Sequence, residues 1–178
     1  MQHIPPVFSK AFAERLNETT DFEVREAASG DMVRPGLALI APGDYHMMII
    51  RDNDHYRVVL NQGPTVHYTR PSVDMLFNSA ATCAGRDAIA AVLTGMGSDG
   101  ADGMKRLKMA GAATLAQDEK TCVVYGMPRA AVERGAVDQI LPLDKIPEAL
   151  VQCAVSRSKS SSTETTATAA KARLLHTI

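Results

Sequence analysis

The residues of this sequence that are best suited to chemistry lie in a short glycine-rich stretch, Gly95-Met-Gly-Ser-Asp-Gly-Ala-Asp-Gly103. Glycine tolerates left-handed turns, and a turn that opens a helix directs backbone N–H groups at whatever lies in front of it. Such N–H groups can stabilise an anion, and a carboxylate such as Asp99 can orient a histidine that acts as a base. His3 is the best placed of the five histidines for this pairing, because it directly precedes a predicted helix.

Three interpretations of this stretch are open on its local pattern. Gly95-Met-Gly-Ser-Asp-Gly100 matches the G-x-G-x-x-G fingerprint of dinucleotide-binding domains, and acidic Asp118 follows about 20 residues later. Asp99 counts against this interpretation, because it would lie beside the pyrophosphate and like charges repel. A purely structural turn is the second interpretation. The third is a hydrolytic site in which Asp99 holds His3 and the turn N–H groups hold an oxyanion.

The segments on either side of the turn predict the elements that position it. Residues 87–94 form an apolar run that is typical of a strand buried on both faces. Small and apolar residues then recur at helical spacing from Ala101 to Ala110, and Gly111 ends the predicted helix. In open α/β sheets, turns of this kind lie at the carboxyl ends of strands, where ligands bind.

The rest of the chain predicts an α/β domain over residues 1–155, followed by a disordered low-complexity tail over 156–178. Alternating strands and helices predict a doubly wound, mostly parallel sheet with helices on both faces, a Rossmann-like three-layer arrangement with an inserted β-hairpin. The predicted strands are 22–27, 37–41, 46–50, 56–60, 87–94, 112–116 and 137–141, and the predicted helices are 7–17, one that starts at Pro71 and ends before Gly85, 101–110, 128–134 and 146–155.

Composition excludes several classes of function. The net charge of −1 and the absence of a basic stripe argue against nucleic acid as a partner. No stretch reaches the roughly 18 apolar residues that a membrane span needs, so no membrane insertion is expected. The first residues, 1–6, have no apolar segment typical of a signal peptide.

No metal site or disulfide is expected from the spacing of histidines and cysteines. The three cysteines are far apart and odd in number, which fits a reducing compartment better than a disulfide framework. The four histidines other than His3 show no paired ligand spacing. They are His46, His55, His67 and His176.

Five segments of the chain occur in the order and at the spacing of one known family. They are Gln2-His-Ile-Pro-Pro6, Ile40-Ala-Pro-Gly-Asp-Tyr-His-Met47, Arg70-Pro-Ser-Val-Asp-Met-Leu-Phe77, Leu93-Thr-Gly-Met-Gly-Ser-Asp-Gly-Ala-Asp-Gly-Met104, and Ala116-Gln-Asp-Glu119 with Tyr125-Gly-Met-Pro128. Together they resemble the catalytic domain of the CheB-type protein-glutamate methylesterases of bacterial chemotaxis. The resemblance covers about residues 1–155.

The resemblance implies a cytoplasmic serine esterase that needs no cofactor. Its substrates would be glutamate methyl esters, and certain glutamines, on the methylated cytoplasmic helices of chemoreceptors. A phospho-receiver domain would be a further partner. In this family His3 matches the triad histidine, Asp99 matches the triad aspartate, and Met96 matches the methionine whose backbone N–H is associated with the oxyanion hole.

One part of the family pattern has no counterpart in the sequence. The family's nucleophilic serine lies in a Gly-x-Ser-x-Gly-Gly turn upstream of the histidine, and the chain starts too late to contain it. Ser9, Ser72 and Ser98 are not in an equivalent setting, and the apolar neighbours of Cys122 favour core packing for that thiol over nucleophilic chemistry. We therefore expect a domain that is N-terminally truncated and inactive by itself. A non-catalytic remnant that binds a receptor or another partner is the alternative.

Overall fold

A computed structural model describes residues 1–157, and residues 158–178 lie outside the described part. The predicted α/β fold is confirmed, with helices and mostly parallel strands alternating along the chain. The helices are α1 (Pro6–Thr19), α2 (Val73–Cys83), α3 (Ala101–Met109), α4 (Met127–Glu133) and α5 (146–157). The strands are β1 (Glu23–Glu26), β2 (Met32–Val33), β3 (Leu37–Ile40), β4 (His46–Asp52), β5 (His55–Asn61), β6 (Ile89–Val92), β7 (Ala113–Gln117) and β8 (Gln139–Leu141).

The strands form three sheets. β1 and β3 make a parallel pair, and β6, β7 and β8 make a second parallel sheet in that order. β2, β5 and β4 form an antiparallel sheet that contains the predicted hairpin. The sequence predicts a mostly parallel sheet with an inserted hairpin, and both features are present. Within residues 1–157 no strand joins β3 to β6, so the parallel strands form two hydrogen-bonded groups.

Apolar side chains explain how the helices pack on these sheets. In α3 the side chains of Met104 and Leu107 lie on one face and are fully buried, as their spacing predicts. α3 and α4 pack on β7, α1 packs on β1 and β3, and α2 lies between α3 and β4. Met1 contacts both apolar clusters of the core, one built around β6 and β7 and the other around Ala41 and Val58.

Two glycines bring the starts of α2 and α3 together. Gly100 has a φ of +91°, and a Cβ added to it would lie 2.6 Å from Val73 Cγ1. A Cβ on Gly103 would lie 2.7 Å from Phe77 Cβ. Side chains at these positions would force the helices apart, so the glycines permit the close approach on which the site depends.

The structure corrects several boundaries predicted from the sequence. The strands predicted over 87–94 and 137–141 are shorter, since β6 is Ile89–Val92 and β8 is Gln139–Leu141. Pro71 does not open α2, because the helix begins at Val73 with Ser72 as its N-cap residue. α5 extends to residue 157, so it includes the first two residues of the segment assigned to the tail, and the remainder of that segment lies outside the described residues. Among residues 1–157, no helix is both long enough and apolar enough to cross a bilayer.

Candidate active site

The structure brings His3 and Asp99 into contact. His3 Nε2 lies 2.7 Å from Asp99 Oδ2, with the side chain of Asp99 3% exposed and that of His3 27% exposed. Asp99 lies in the turn between β6 and α3, and His3 lies directly before α1. Because Nε2 faces the carboxylate, Nδ1 is the ring nitrogen left for another partner. This is the reverse of the serine protease arrangement, in which Nδ1 faces the acid.

Asp99 also caps the N-terminus of α2. Ser72 Oγ–H donates to Asp99 Oδ1 over 2.7 Å, and the Val73 N–H donates to Asp99 Oδ2 over 2.7 Å. The Asp74 N–H donates to Asp99 Oδ1 over 3.1 Å. Ser72 occupies the N-cap position, but its side chain does not cap its own helix. Asp99 supplies that cap instead, and the positive end of the helix dipole favours its negative charge.

These contacts keep Asp99 ionised at neutral pH. Burial by itself raises the pKa of Asp99, because a low-dielectric environment disfavours the charged form. The hydrogen bond from His3 and those from the start of α2 outweigh burial and lower the pKa from 3.8 to about 2. A fixed carboxylate of this kind can hold a histidine in one orientation and stabilise its cation.

The N-terminus of α3 is occupied by a carboxylate as well. Asp74 Oδ1 accepts the N–H of Gly103 over 2.6 Å, so each of the two helices is capped by an acid from the segment that starts the other. A pyrophosphate at this helix end would lie against both acids. Asp118 is also engaged, because its Oδ1 accepts the N–H and the hydroxyl of Thr121. The geometry therefore argues against the dinucleotide interpretation.

The glycine turn is held rigidly by the loop that follows β7. The Gly95 N–H donates to the Val124 carbonyl over 3.1 Å, and the Gly95 carbonyl accepts the N–H of Met127 over 2.8 Å. At the start of the turn, Gln117 Oε1 accepts the Thr94 N–H over 2.8 Å. A turn fixed in this way can present its remaining N–H groups to a ligand without reorganising.

Met96 lies at the open side of this turn. The residue is 84% exposed, and within residues 1–157 its N–H donates to no protein acceptor. A cleft of about 610 Å³ runs from the turn to His3, and Thr69 and Phe77 are also in its wall. His3 and Met96 line the cleft, and the ionised Asp99 contacts His3 from behind the cleft wall. A histidine, an acid that orients it and a free backbone donor are the groups that an acyl-transfer site requires.

No hydroxyl or thiol within residues 1–157 is hydrogen-bonded to His3. The Ser72 hydroxyl is committed to Asp99, and Ser9 is fully buried with its hydroxyl bonded to Glu26. Cys122 is half-buried, and burial is the main reason that its pKa is raised, which keeps the thiol protonated. The core packing predicted from the neighbours of Cys122 is wrong in one respect, because Val123 is 90% exposed.

One group of possible metal ligands occurs in the described residues, although sequence spacing predicts none. Ligand atoms of His67, Asp74 and Asp102 lie within 4.8 Å of one another. Each acid has a protein partner, since Asp74 binds His67 and a backbone N–H, and Asp102 Oδ1 accepts from Arg134 Nε over 2.6 Å. The arrangement is thus explained without an ion.

Sequence reasoning missed the buried residues that hydrogen-bond to the site residues or to their neighbours. Ser72, His46 and Gln117 are all fully buried or nearly so, and each binds a site residue or a neighbour of one. Their partners lie more than 20 positions away in the sequence, so no local pattern marks them. The only signal for Ser72 was its place in the family-like segment from Arg70 to Phe77.

Comparison with known proteins gives a consistent result. Residues 1–150 match the family model described as CheB methylesterase. The chain is 54% identical over 156 residues to protein-glutamate methylesterase/protein-glutamine glutaminase 2 of Pseudomonas aeruginosa, covering 88% of this chain and 45% of that protein. It is 56% identical over 146 residues to a Bdellovibrio bacteriovorus protein named protein-glutamate methylesterase/protein-glutamine glutaminase, covering 82% of this chain and 41% of the other. The chain thus spans less than half the length of these curated relatives.

A solved structure resembles the fold. The CheB methylesterase catalytic domain of Thermotoga maritima superimposes with a TM-score of 0.82 at 41% identity, covering 85% of this chain and 80% of the solved one.

Proposed function

The chain belongs to the CheB methylesterase family, and from that premise we propose that it supplies the base, the orienting acid and the oxyanion donor of a protein-glutamate methylesterase and glutaminase. The observation that carries the proposal is the 2.7 Å contact between His3 and Asp99 beside the open turn at Met96. The substrates are methyl esters of glutamate side chains, and certain glutamines, on the cytoplasmic helices of chemoreceptors. A phospho-receiver domain is a further partner in this proposal, and neither a cofactor nor a metal takes part.

The proposed nucleophile is a serine in a Gly-x-Ser-x-Gly-Gly turn, which the 178 residues do not contain. We place it on polypeptide outside these residues. His3 Nδ1 takes the hydroxyl proton as the serine oxygen bonds to the ester carbonyl carbon, and the carbonyl oxygen becomes an oxyanion. The N–H of Met96 donates to this oxyanion. The C–O bond to the methoxy group then breaks, and His3 returns the proton so that methanol leaves.

Hydrolysis of the acyl-enzyme uses the same residues. His3 takes a proton from water as the water oxygen bonds to the acyl carbon, and the proton passes to the serine oxygen as that oxygen leaves. Glutamate is released and the serine is regenerated. With a glutamine substrate the first leaving group is ammonia in place of methanol.

Asp99 acts on both steps through His3. Its carboxylate stays ionised at neutral pH, because the low pKa of about 2 keeps the proton off it. It therefore fixes the ring orientation and stabilises the imidazolium that forms in each step. Since Asp99 is held by the start of α2, it needs no rearrangement when His3 becomes charged.

The proposal is tested by release of methanol from methylated receptor. The segment that precedes the matched region in the Pseudomonas aeruginosa relative is added to the N-terminus of this chain, and the extended protein is compared with the 178 residues alone. We expect release only from the extended protein. In it, His3→Ala should lower the rate by about 10⁴-fold or more, and Asp99→Ala by about 10⁴-fold, because a triad without either member keeps only oxyanion and binding effects.

His55→Ala is the matched control, because His55 is exposed in the hairpin between β4 and β5 and should leave the rate unchanged. Rapid release by the 178 residues alone would show that another group attacks the ester, with Cys122 and Ser98 the first to test. If the extended protein binds receptor and releases no methanol, the chain is a non-catalytic binding protein. An extended His3→Ala protein with full activity would overturn the assignment of the base.

A further inference from the structure

A second histidine, His46, lies behind the residues that hold Asp99. It is the first residue of β4, and only 1% of it is exposed. Its Nε2 lies 2.9 Å from the carbonyl oxygen of Pro64, and its Nδ1 lies 3.1 Å from the backbone N of Ser72. Both ring nitrogens are therefore used, and neither is part of the catalytic contacts described above.

These two partners fix the protonation of the ring. A carbonyl oxygen can only accept a hydrogen bond, so Nε2 of His46 carries a hydrogen. A backbone N–H can only donate, so Nδ1 carries a lone pair. His46 is thus neutral and in a single tautomer, because a hydrogen on Nδ1 would oppose the N–H of Ser72.

Ser72 connects this ring to the carboxylate. The N–H of Ser72 is held by His46, while the Ser72 hydroxyl and the following N–H of Val73 each donate to Asp99 over 2.7 Å. A change in the backbone orientation at Ser72 would therefore move both the Ser72 hydroxyl and the Val73 N–H away from Asp99. His46, Ser72, Val73 and Asp99 are all buried, so water cannot replace a lost partner without cost.

We propose that His46 is a positioning residue for Asp99. Its unprotonated Nδ1 anchors the N–H of Ser72 and so aims the Ser72 hydroxyl and the Val73 N–H at the carboxylate that orients His3. The catalytic consequence rests on the proposed function, whereas the positioning of Asp99 is a property of the 178 residues themselves.

Two substitutions of His46 distinguish the positioning of Asp99 through Nδ1 from a role in which the His46 side chain only fills space in the core. His46→Asn keeps an acceptor oxygen at the place of Nδ1 but loses the donor to Pro64. His46→Gln can reach Pro64 with its amide N–H, but it has no acceptor beside Ser72. If Nδ1 is the group that matters, Asn should preserve the arrangement around Asp99 and Gln should not.

The readout is nitrogen and proton NMR of the 178-residue chain at neutral pH. In the unmodified chain, the ring nitrogen shifts of His46 should show the hydrogen on Nε2 only. His46→Asn should retain the downfield amide shift of Val73 and the hydrogen of His3 on Nε2, where it faces Asp99. His46→Gln should lose the Val73 shift and give a mixture of His3 tautomers.

Thr114→Val is the control for lost stability, because Thr114 in β7 is fully buried and its hydroxyl donates to Asp138, directly before β8. It should lower the melting temperature and leave the signals of Val73 and His3 unchanged. A His46 ring with its hydrogen on Nδ1 would overturn the proposal even if no variant folds. The same follows if the Asn and Gln variants affect Val73 and His3 equally.

In the extended protein that carries the serine, His46→Gln should lower kcat by about 10²-fold with KM little changed, since misplacing a catalytic group by about 1 Å has an effect of that size. His46→Asn should recover most of the rate. If the NMR results are as expected but His3→Ala leaves the esterase rate unchanged, the proposed function fails and the positioning of Asp99 stands. A kcat that falls equally in both His46 variants would count against positioning through Nδ1.

Discussion

At the scale of single residues, Asp99 has both a structural role, as the cap of α2, and a proposed catalytic role, as the acid that orients His3. The same carboxylate caps α2 and faces His3, so the donors that stabilise the helix also keep the acid ionised. Without Asp99, the N–H groups of Val73 and Asp74 at the start of α2 would have no acceptor. The buried negative charge of Asp99 is therefore not isolated, because hydrogen-bond donors at the start of α2 stabilise it.

The low pKa of Asp99 predicts an acid-dependent loss of stability. The folded pKa of about 2 lies below the unfolded value of 3.8, so the contribution is fully present above pH 4 and is lost as pH falls through 2. At 1.36 kcal/mol per pH unit, this group contributes about 2 kcal/mol to the free energy of unfolding near neutral pH. Asp99→Asn should remove that contribution.

Urea unfolding at pH 6, 4 and 2 provides the measurement. The difference in unfolding free energy between the unmodified chain and Asp99→Asn should be largest at pH 6 and smallest at pH 2. Other ionised acids with lowered pKa values, Asp31 and Asp138, titrate in both proteins and cancel in the difference. A difference that stays constant with pH would show that Asp99 is not held as an anion by these contacts.

The residues of the site were predictable to different degrees. His3, Asp99 and Met96 were proposed from motifs at a strand end and before a helix together with the family resemblance, and the structure places His3 in contact with Asp99 in the cleft that Met96 also lines. Ser72 and His46 were not assigned roles, because their contributions arise from contacts with residues 26 and 27 positions away. Such contacts depend on how α2 and β4 pack against the turn, which no local pattern encodes.

At the scale of elements, the glycine turn depends on the loop between β7 and α4. Gly126 lies against the turn so closely that an added Cβ would be 2.7 Å from the Gly95 carbonyl oxygen and 3.0 Å from the Gly97 N. These are backbone atoms, which cannot move aside as a side-chain end can. The loop thus sets the orientation of the peptide that carries the N–H of Met96.

Gly126→Ala should displace the glycine turn. We expect a loss of about 1–3 kcal/mol in the free energy of unfolding, because inserted atoms in a closely packed place force the backbone to shift. The amide signals of Met96 and Gly97 should move in the NMR spectrum. Gly63→Ala is the control, because there an added Cβ meets only the flexible side chain of Asn61. If the Met96 and Gly97 signals stay in place in Gly126→Ala, the loop does not position the turn.

Elements with strong periodicity were predicted well, and short or long-range features were not. The hairpin of β4 and β5 and the unit of β6, turn and α3 are present where the apolar patterns indicate them. β2 was missed because it has two residues, too few for a pattern. The start of α2 was misjudged because its cap comes from Asp99, a residue of another element.

At the scale of the whole molecule, the parallel strands lie in two sheets that no strand within residues 1–157 joins. Within residues 1–157, β3 pairs only with β1, and β6 pairs only with β7. Met1 packs against the apolar clusters on both sides, and the cleft beside His3 runs along β6. The predicted α/β fold with mostly parallel strands is present, but apolar patterns do not say which strands pair, so the division between β3 and β6 was not predicted.

Free strand edges predict association of the 178-residue chain. An unpaired edge presents a row of N–H and C=O groups that can bond to another chain, and a two-stranded parallel pair has little stability of its own. In sedimentation velocity, the average sedimentation coefficient should therefore rise with concentration. The extended protein used to test the esterase should remain monomeric over the same range, with slower amide exchange in β3 and β6, if the added segment pairs with these edges. The prediction is wrong if the 178-residue chain is monomeric throughout and the extension leaves amide exchange in β3 and β6 unchanged. That result would show that the strand edges are already protected, so the added serine would have to reach His3 without pairing at these edges.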